Sequence, residues 1–371
     1  MKILQIINSH ALEDGGAQRL ALEMHRRYLA QGHDSHLLSL MPSPVDEPNT
    51  YTLGSRSPYH PRVLVGLNRF LSQPEWQDVD LCHVHLFPAQ VWAVVASRMG
   101  RIRAAMITTE HNTFNRRRGT LVGRLCDRLT LGRYRRIVCI SPATSEALAH
   151  WQPQVGRNLV TIANGIDLTR YANSGNSNRD QKVPIILATG RISVQKNYES
   201  ALRAIELLKD RQFEFWIAGK DELSGEMQKL AKELGVEDRV RFLGFQADIP
   251  SLLNQADIYL LTSRWEGFGL AVVEAMAAGL PVVCSDVPGV REVVRSQSGG
   301  SDGSTSGAFL VDPSSPQAIA QSLATLLDDP KLRRSMGERS REKAQEFDIE
   351  RTVSHYLDLY HQVTGSALPV A

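Results

Sequence analysis

Cysteine is scarce in this chain and forms no spaced motif. Cys82, Cys126, Cys139 and Cys284 are scattered, with no C-x-x-C among them. Three of the four lie inside apolar, strand-like runs, where buried free thiol is the expected state. Long hydrophobic runs are also missing. No window reaches the roughly 18 uninterrupted apolar residues of a membrane-spanning helix. The apolar start, Met1 to Asn8, leads into a helix opening with Gly15, Gly16 and Arg19 and has no small-residue cleavage site. It is expected to be a first β-strand and not a signal peptide, which gives a cytoplasmic reading. The dinucleotide fingerprint G-x-G-x-x-G is absent, the histidines show no metal-ligand spacing, and no D-x-D stands at a strand end.

What is present is the make-up of a globular enzyme: 42% hydrophobic and 22% charged residues over 371 positions. Disorder is therefore not the default, and the length suits two domains rather than one core. The net charge of +2 hides an asymmetry. Residues 1–165 carry 19 Lys/Arg against 12 Asp/Glu, and the remainder 23 against 28. A basic first half beside an acidic second half points to one domain meeting an anionic surface.

Short apolar runs alternate with helical patterns, the signature of parallel sheets covered by helices. Strands are expected at KILQII, SHLLSL, LCHVHL, AAMITT and RIVCIS, then at PIILATG, FEFWIAG, RVRFLG, ADIYLLTS and PVVCSD. A helix is expected over Ala17–Gln31, closed by Gly32. Tyr171–Gln181 reads as a linker, and Ser296–Ser306 as a low-complexity loop. Further helices are expected over Pro316–Leu327, Lys331–Glu346 and Ile349–Gln362. The result is an α/β chain of two doubly wound domains in tandem. Residues 1–170 form the first domain and 171–348 the second, with a final helical segment over 349–371. In such sheets ligands sit beyond the carboxyl ends of the strands, so the chemistry is expected where two such ends face each other across a cleft.

The segment RWEGFGLAVVEAMAAGLPVVCSD carries the most chemistry. Leu270–Ala278 is expected to be a helix closed by Gly279 and buried all round, apolar apart from Glu274. A lone buried carboxylate is costly without hydrogen bonds, so Glu274 pairs either with a structural Arg or amides, or with a ligand. Ahead of the helix, Gly267, Phe268 and Gly269 offer backbone N–H groups at its positive end, which suits a phosphate. Glu266, just before this turn, is placed to accept hydrogen bonds from sugar hydroxyls.

A second element is ATGRISVQKNYESALRAIELL, where Arg191 ends a strand and Lys196 precedes a helix that Asn197 can cap. A planar fork and a point charge at one strand end suit a diphosphate. Taken singly, each reads as well as a solvated surface charge. The loop Glu13, Asp14, Gly15, Gly16 is a glycine turn whose amides open a helix. Among the histidines, His83 and His85 alternate on one strand and a structural role is the plainer reading. His111 follows a strand and is the one placed at a carboxyl end. Arg116, Arg117 and Arg118, with Arg124 and Arg128, interleave with Leu121, Val122, Leu125, Leu129 and Leu131. Such a run is often a solvated face, but the interleaving also fits a basic segment resting on anionic lipid. Nucleic acid is the weaker partner, for want of a recognition module or aromatic stacking set.

Over nearly its whole length the chain resembles the retaining GT-B glycosyltransferases of family 4, the glycosyl transferases group 1. GGAQRLALEMHRRYLAQGH is similar to that family's first loop and helix, and NGIDLTRY to its interdomain N-G-[VI]-D. GRISVQKN resembles its Arg/Lys donor site, and EGFGLAVVEAMAAGLPVVCSD its E-x7-E block. The resemblance implies two Rossmann-like domains facing a cleft, acceptor-binding then donor-binding, with the last helix crossing back to the first. It implies that Glu266 contacts donor-sugar hydroxyls, that Phe268, Gly269 and Leu270 offer amides to sugar and diphosphate, and that Glu274 holds the ribose. Arg191 and Lys196 would bind the diphosphate, Gly15 and Gly16 would border acceptor and phosphate, and His111 would lie by the transferred sugar. Where the family often has a second glycine and a proline after the FEFWIAG strand, this chain has Lys220 and Asp221.

These roles imply transfer with retention from a UDP- or GDP-linked sugar to a glycan or lipid-linked acceptor. No metal is needed, and surface polysaccharide assembly at the inner face of the cytoplasmic membrane is the expected setting. A nucleotide-sugar epimerase of the same architecture and a non-catalytic sugar-nucleotide sensor are the rival readings. Two acids beside a phosphate cradle do not fit a glycoside hydrolase, which flanks the glycosidic bond with both.

Overall fold

The computed structural model describes residues 1–11, 15–43, 46–115, 117–171, 183–295 and 307–365. Glu13 and Asp14 of the glycine loop, Arg116, most of the expected linker and the Ser-rich stretch 296–306 lie outside the described residues. The chain divides into two units, residues 1–165 with 349–371, and residues 166–348.

The first unit holds a sheet of seven parallel strands: β1 (Lys2–Ile7), β2 (Asp34–Ser39), β3 (Thr50–Thr52), β4 (Leu81–His85), β5 (Ala105–Glu110), β6 (Arg136–Cys139) and β7 (Leu159–Thr161). Their spatial order is β3-β2-β1-β4-β5-β6-β7. The second unit repeats the plan with β8 (Ile185–Thr189), β9 (Glu214–Ala218), β10 (Val240–Gly244), β11 (Ile258–Leu261), β12 (Val282–Ser285) and β13 (Ala308–Val311), ordered β10-β9-β8-β11-β12-β13. Ten of these thirteen strands are the expected ones. The three that the sequence reading missed, β3, β7 and β13, are three or four residues long and stand at sheet edges, too short for a periodic signal.

Helices cover both sheets. In the first unit they are α1 (Gly16–Ala30), α2 (Arg62–Leu71), α3 (Ala89–Arg98), α4 (Leu121–Leu131) and α5 (Pro142–Trp151). The second has α6 (Tyr198–Glu206), α7 (Glu226–Glu233), α8 (Ile249–Leu253), α9 (Leu270–Ala277), α10 (Pro288–Val294), α11 (Pro316–Asp328) and α12 (Pro330–Ala344). The last helix, α13 (Ile349–Thr364), returns to the first unit.

Central strands such as β1, β4, β8 and β12 are buried along almost every residue, because helices lie on both faces of a parallel sheet. That is why they read as continuous apolar runs and not as alternating ones. α13 is amphipathic: Ile349, Val353, Tyr356, Leu359, Tyr360 and Val363 fall on one face and pack with Ile3, Leu81, Ile107 and Val138 of the sheet and Tyr28 of α1. Each such side chain contributes roughly 1.5–3 kcal/mol on full burial. Its tyrosines also satisfy their hydroxyls, Tyr28 donating to Tyr360 at 3.0 Å. In the second unit the core gathers Ile186, Ile205, Phe215, Ile217, Leu260 and Val283 between β-sheet and α6, α11 and α12.

Candidate functional site

Both sheets reverse strand order at one point, between β1 and β4 and between β8 and β11. Connections leave such a point in opposite directions and open a crevice at the carboxyl ends. In the second unit the two loops there, 190–197 and 262–269, are stitched together. Thr262 Oγ1 donates to the carbonyls of Lys196 (2.9 Å) and Asn197 (3.1 Å). The Arg264 N–H donates to Gln195 O at 2.8 Å, and Gln195 Nε2 to Trp265 O at 3.0 Å.

That stitching brings Lys196 to Glu266. Lys196 Nζ donates to Glu266 Oε1 at 2.6 Å, and Ser263 Oγ donates to the same oxygen at 2.7 Å. The two charged side chains are only 18% and 11% exposed, so the pair is partly dehydrated and strongly coupled. Ser263 is a site residue that sequence reasoning missed, since a serine near a strand end carries no signal of its own.

Arg191 does not join this pair. It is exposed, and its Nη1 donates to Glu222 at 2.9 Å. The glycine before it explains the separation. Gly190 has φ +131°, and a Cβ there would stand 2.8 Å from Lys196 Cε, so the lysine stem lies directly over this glycine. Asn197 does not cap α6 as expected. It adopts a left-handed conformation (φ 53°), and its Nδ2 donates to Ser200 Oγ at 3.0 Å and Pro313 O at 2.8 Å, away from the helix N–H groups. The divergent Lys220 and Asp221 sit on a loop fastened to 190–192. Ile192 N donates to Lys220 O at 2.8 Å, and Asp221 takes the N–H groups of Leu223 and Gly225, both at 2.8 Å.

The turn 267–269 leads into α9 with Gly269 in the left-handed region (φ 97°) and no side-chain cap. Val272 N and Val273 N reach back to Gly269 O at 2.8 and 3.3 Å, so the N–H groups ahead of them, of Leu270 and Ala271, form the positive backbone end of α9. Phe268 anchors the turn by packing edge-on against Phe347, ring centroids 5.6 Å apart. Gly289 is a second missed residue: a Cβ there would lie 2.6 Å from Glu266 O and 2.7 Å from Gly267 C. Only a residue without a side chain lets α10 approach this turn so closely.

α9 itself differs from expectation. Val272, Val273, Ala275, Met276 and Ala277 are buried, but Leu270, Ala271 and Glu274 are half-buried along one side. The E-x7-E carboxylate is thus not sealed in an apolar core, and desolvation does not demand a ligand for it. It stays close enough to act on Tyr259, whose phenol is pushed up by burial and further by the charges of Glu274 and Glu266. The end of α9 is as expected: Gly279 (φ 77°) donates to Met276 O and Leu280 N to Ala275 O.

In the first unit the described carboxyl ends carry a cluster of buried histidines beside one ion pair, Arg118 with Glu110 at the end of β5. His83, on β4, bonds Tyr360 OH and Thr109 Oγ1, both at 2.7 Å, within a buried chain running from Tyr28 to Tyr356. His85 lies beside it, ring centroids 3.9 Å apart, and 5.9 Å from His111. Burial lowers the pKa of His111 to about 4 and of His83 to about 3, and puts His85 well below its ordinary value. All three are uncharged at neutral pH. His83 is structural, whereas His111 Nε2 is buried with no hydrogen-bond partner among the described residues. An unsatisfied buried nitrogen costs about 1–3 kcal/mol, and His85 Nδ1 beside it is in the same position. Gly15 (φ 135°) precedes α1 without a side-chain cap, and Gly16 is exposed as the first helical residue.

Two of the arginines assigned to a lipid face turn inward. Arg117 Nε donates to buried Asp127 at 2.9 Å, and Arg118 Nη2 to buried Glu110 at 2.7 Å. Arg118 also bonds Asn112 O at 3.4 Å, and Asn112 N bonds Glu110, so this pair braces the loop carrying His111. Arg124 and Arg128 are exposed. Among the described residues no helix is long and apolar enough to cross a membrane.

Comparison with known proteins agrees with this geometry. Residues 170–343 match the family model for glycosyl transferases group 1, and residues 14–170 that for glycosyltransferase family 4. The chain is 27% identical over 374 residues to an N-acetyl-alpha-D-glucosaminyl L-malate synthase of Bacillus anthracis, covering 94% of each. It is 28% identical over 337 residues to a GDP-mannose:cellobiosyl-diphosphopolyprenol alpha-mannosyltransferase of Komagataeibacter xylinus, covering 85% of this chain and 78% of that one. Among solved structures, Anabaena HepE in complex with UDP-glucose superposes with a TM-score of 0.79 at 21% identity, covering 98% of this chain and 100% of that one. A sucrose-phosphate synthase of Thermosynechococcus elongatus gives 0.82 at 20% identity, covering 99% and 100%.

Proposed function

Because this chain belongs to the group 1 glycosyl transferases and has the GT-B fold, we propose that it moves a hexosyl-type sugar, with retention and without a metal, from a UDP- or GDP-linked donor to a glycan or lipid-linked acceptor. The observation that carries this reading is the Lys196–Glu266 pair beside the open N-terminus of α9, at the switch point of the second sheet. A cation and free amides suit the diphosphate, and a carboxylate next to them suits sugar hydroxyls.

In this reading Lys196 and the amides of Phe268, Gly269 and Leu270 hold the diphosphate, with Arg191 joining when its exposed side chain leaves Glu222. Glu266 holds the donor sugar and Glu274 the ribose. His111, neutral, offers Nε2 to the sugar, and Gly15 and Gly16 serve acceptor and phosphate. The acceptor hydroxyl attacks the anomeric carbon from the face the diphosphate leaves. The carbon–oxygen bond to the diphosphate breaks, the new glycosidic bond forms, and the hydroxyl proton passes to the departing phosphate oxygen. The protein's contribution is positioning and charge stabilisation rather than general base catalysis. One relative's name, with GDP-mannose and a diphosphopolyprenol-linked acceptor, supports a cytoplasmic role in surface polysaccharide assembly, whereas the other's name points to L-malate.

Thermal-shift screening against nucleoside diphosphate sugars identifies the donor, and the anomeric configuration of the product made from it is then read by NMR with and without chelator. An inverted product or activity abolished by chelator would overturn the mechanism. Donor turned over to an altered sugar without acceptor would mean an epimerase, and binding without turnover on any acceptor a sensor.

A further inference from the structure

Helix α4 is built inside out. Its buried residues are Gly123, Asp127, Thr130 and Leu131, whereas Leu121, Val122, Leu125 and Leu129 are 86%, 80%, 59% and 53% exposed. At about 100° per residue the four exposed side chains share one arc of about 100°, directly opposite the buried face. The inward face is held by polar contacts and close approach. Asp127 accepts from Arg117 Nε at 2.9 Å and from Trp151 Nε1 at 3.0 Å. Gly123 lies so near the preceding turn that a Cβ would stand 2.2 Å from Arg117 O. Turning the helix to bury its leucines would break the Asp127 pair and drive Gly123 out of its contact. The outward apolar ridge is therefore a fixed feature of the first unit.

The charge around this ridge has one sign. Arg124 and Arg128 are exposed along its flank. α3 packs beside α4, and α2 beside α3. Arg98, at the end of α3, donates to Leu129 O at 3.3 Å, and Arg62, Arg69 and Arg101 are exposed on α2 and the turn after α3. The sole acid on these three helices is Asp127, which is buried and paired.

We propose that this face docks on an anionic lipid bilayer, with Leu121, Val122, Leu125 and Leu129 entering the boundary between headgroups and acyl chains and Arg124 and Arg128 meeting lipid phosphates. Apolar side chains at helical spacing flanked by arginines match a surface that is apolar beneath an anionic layer. Nucleic acid would match the arginines but leave the leucines in water. The inference rests on the outer face of α4 alone and stands apart from the donor chemistry.

Flotation of the full chain with vesicles of phosphatidylglycerol and phosphatidylcholine, against phosphatidylcholine alone, tests it at low and at physiological salt. The expected result is binding to the anionic vesicles, weakened by salt. Leu125→Gln with Leu129→Gln should lower the partition coefficient at least tenfold, and Arg124→Glu with Arg128→Glu should remove the preference for anionic lipid. Leu125, Leu129 and Arg128 face water, and Arg124 is exposed but lies over the Trp151 ring at 5.7 Å, so both double variants should stay folded and keep the wild-type thermal shift with nucleotide sugars, the arginine variant melting slightly lower. Absence of binding to anionic vesicles at low salt would overturn the proposal, as would binding unchanged in both variants. So would a dimer in sedimentation that becomes monomeric with Leu125→Gln and Leu129→Gln, since the ridge would then cover a second copy. Equal or tighter binding to duplex DNA that survives the leucine changes would also overturn it.

Discussion

The two units share one strand order but line its switch point with opposite chemistry. In the second, a lysine, two carboxylates and an open helix N-terminus gather at the ends of β8 and β11. In the first, the described ends carry histidines that burial holds neutral, and the charges beside them are matched in ion pairs, Arg118 with Glu110 at the end of β5 and Arg117 with Asp127. The same topology thus supports a charged cradle in one copy and an uncharged, hydrogen-bonding one in the other. In the proposed function the former takes the donor's diphosphate and the latter the acceptor.

The strongest test of that contrast is in the first unit. Arg118→Ala leaves Glu110 buried without its partner and should cost about 3–5 kcal/mol of stability, the scale for breaking a buried pair from one side. Arg124→Ala, on the exposed face, should change stability by no more than about 0.5 kcal/mol. Denaturant titration of both variants measures the difference, and equal losses would erase the distinction between inward and outward arginines.

In the second unit, Lys196→Ala should lower turnover by about two to three orders of magnitude, the usual scale for losing a charge-stabilising group. His111→Asn, which keeps a neutral hydrogen-bonding group, should lose less. Steady-state kinetics with saturating donor compares them, and the reverse ranking would reassign the chemistry to the neutral cradle.

Gly289→Ala places a methyl group 2.6 Å from Glu266 O and must shift the turn, for about 1–3 kcal/mol of overpacking. A rise in donor KM with the fold intact is the expected signature. An unchanged KM would show that the turn tolerates displacement.

A further effect is on pH dependence. The folded pKa values of His83, His85 and His111 lie below the ordinary 6.5. Between that value and the folded ones, the unfolded chain binds more protons than the folded one. Their contribution to stability is therefore complete above about pH 6.5 and declines as pH falls towards about 4 and then about 3. Melting temperatures at pH 7 and pH 5 should differ, and His111→Asn should reduce the difference. A protein more stable at pH 5 than at pH 7 would contradict neutral burial.

Much of this was legible before any coordinates. The strands of both sheets, the Gly279 stop and the E-x7-E segment follow from local pattern. The inward turn of Arg117 and Arg118 was not legible, because a run of arginines has no period that reveals which members find a buried acid, here ten residues on and eight residues back. Nor was the half-open side of α9: an apolar helix reads as buried on every face until its neighbours are known. Asn197 failed as a cap for a similar reason, since Arg264 Nη2 donates to its Oδ1 at 3.2 Å while Pro313 O holds its Nδ2.

The sequence alone determined ten of the thirteen strands and the helices with a clear pattern, where glycine must bend the chain, and which residue types were available for a nucleotide sugar. Those properties depend on neighbours a few residues apart. Tertiary structure alone decided that Lys196 meets Glu266, seventy positions away, while Arg191 meets Glu222. It also decided that His111 keeps an unpaired nitrogen and that α4 presents its leucines outward. Each of those outcomes is set by the order and register of distant strands, which decide what each side chain meets.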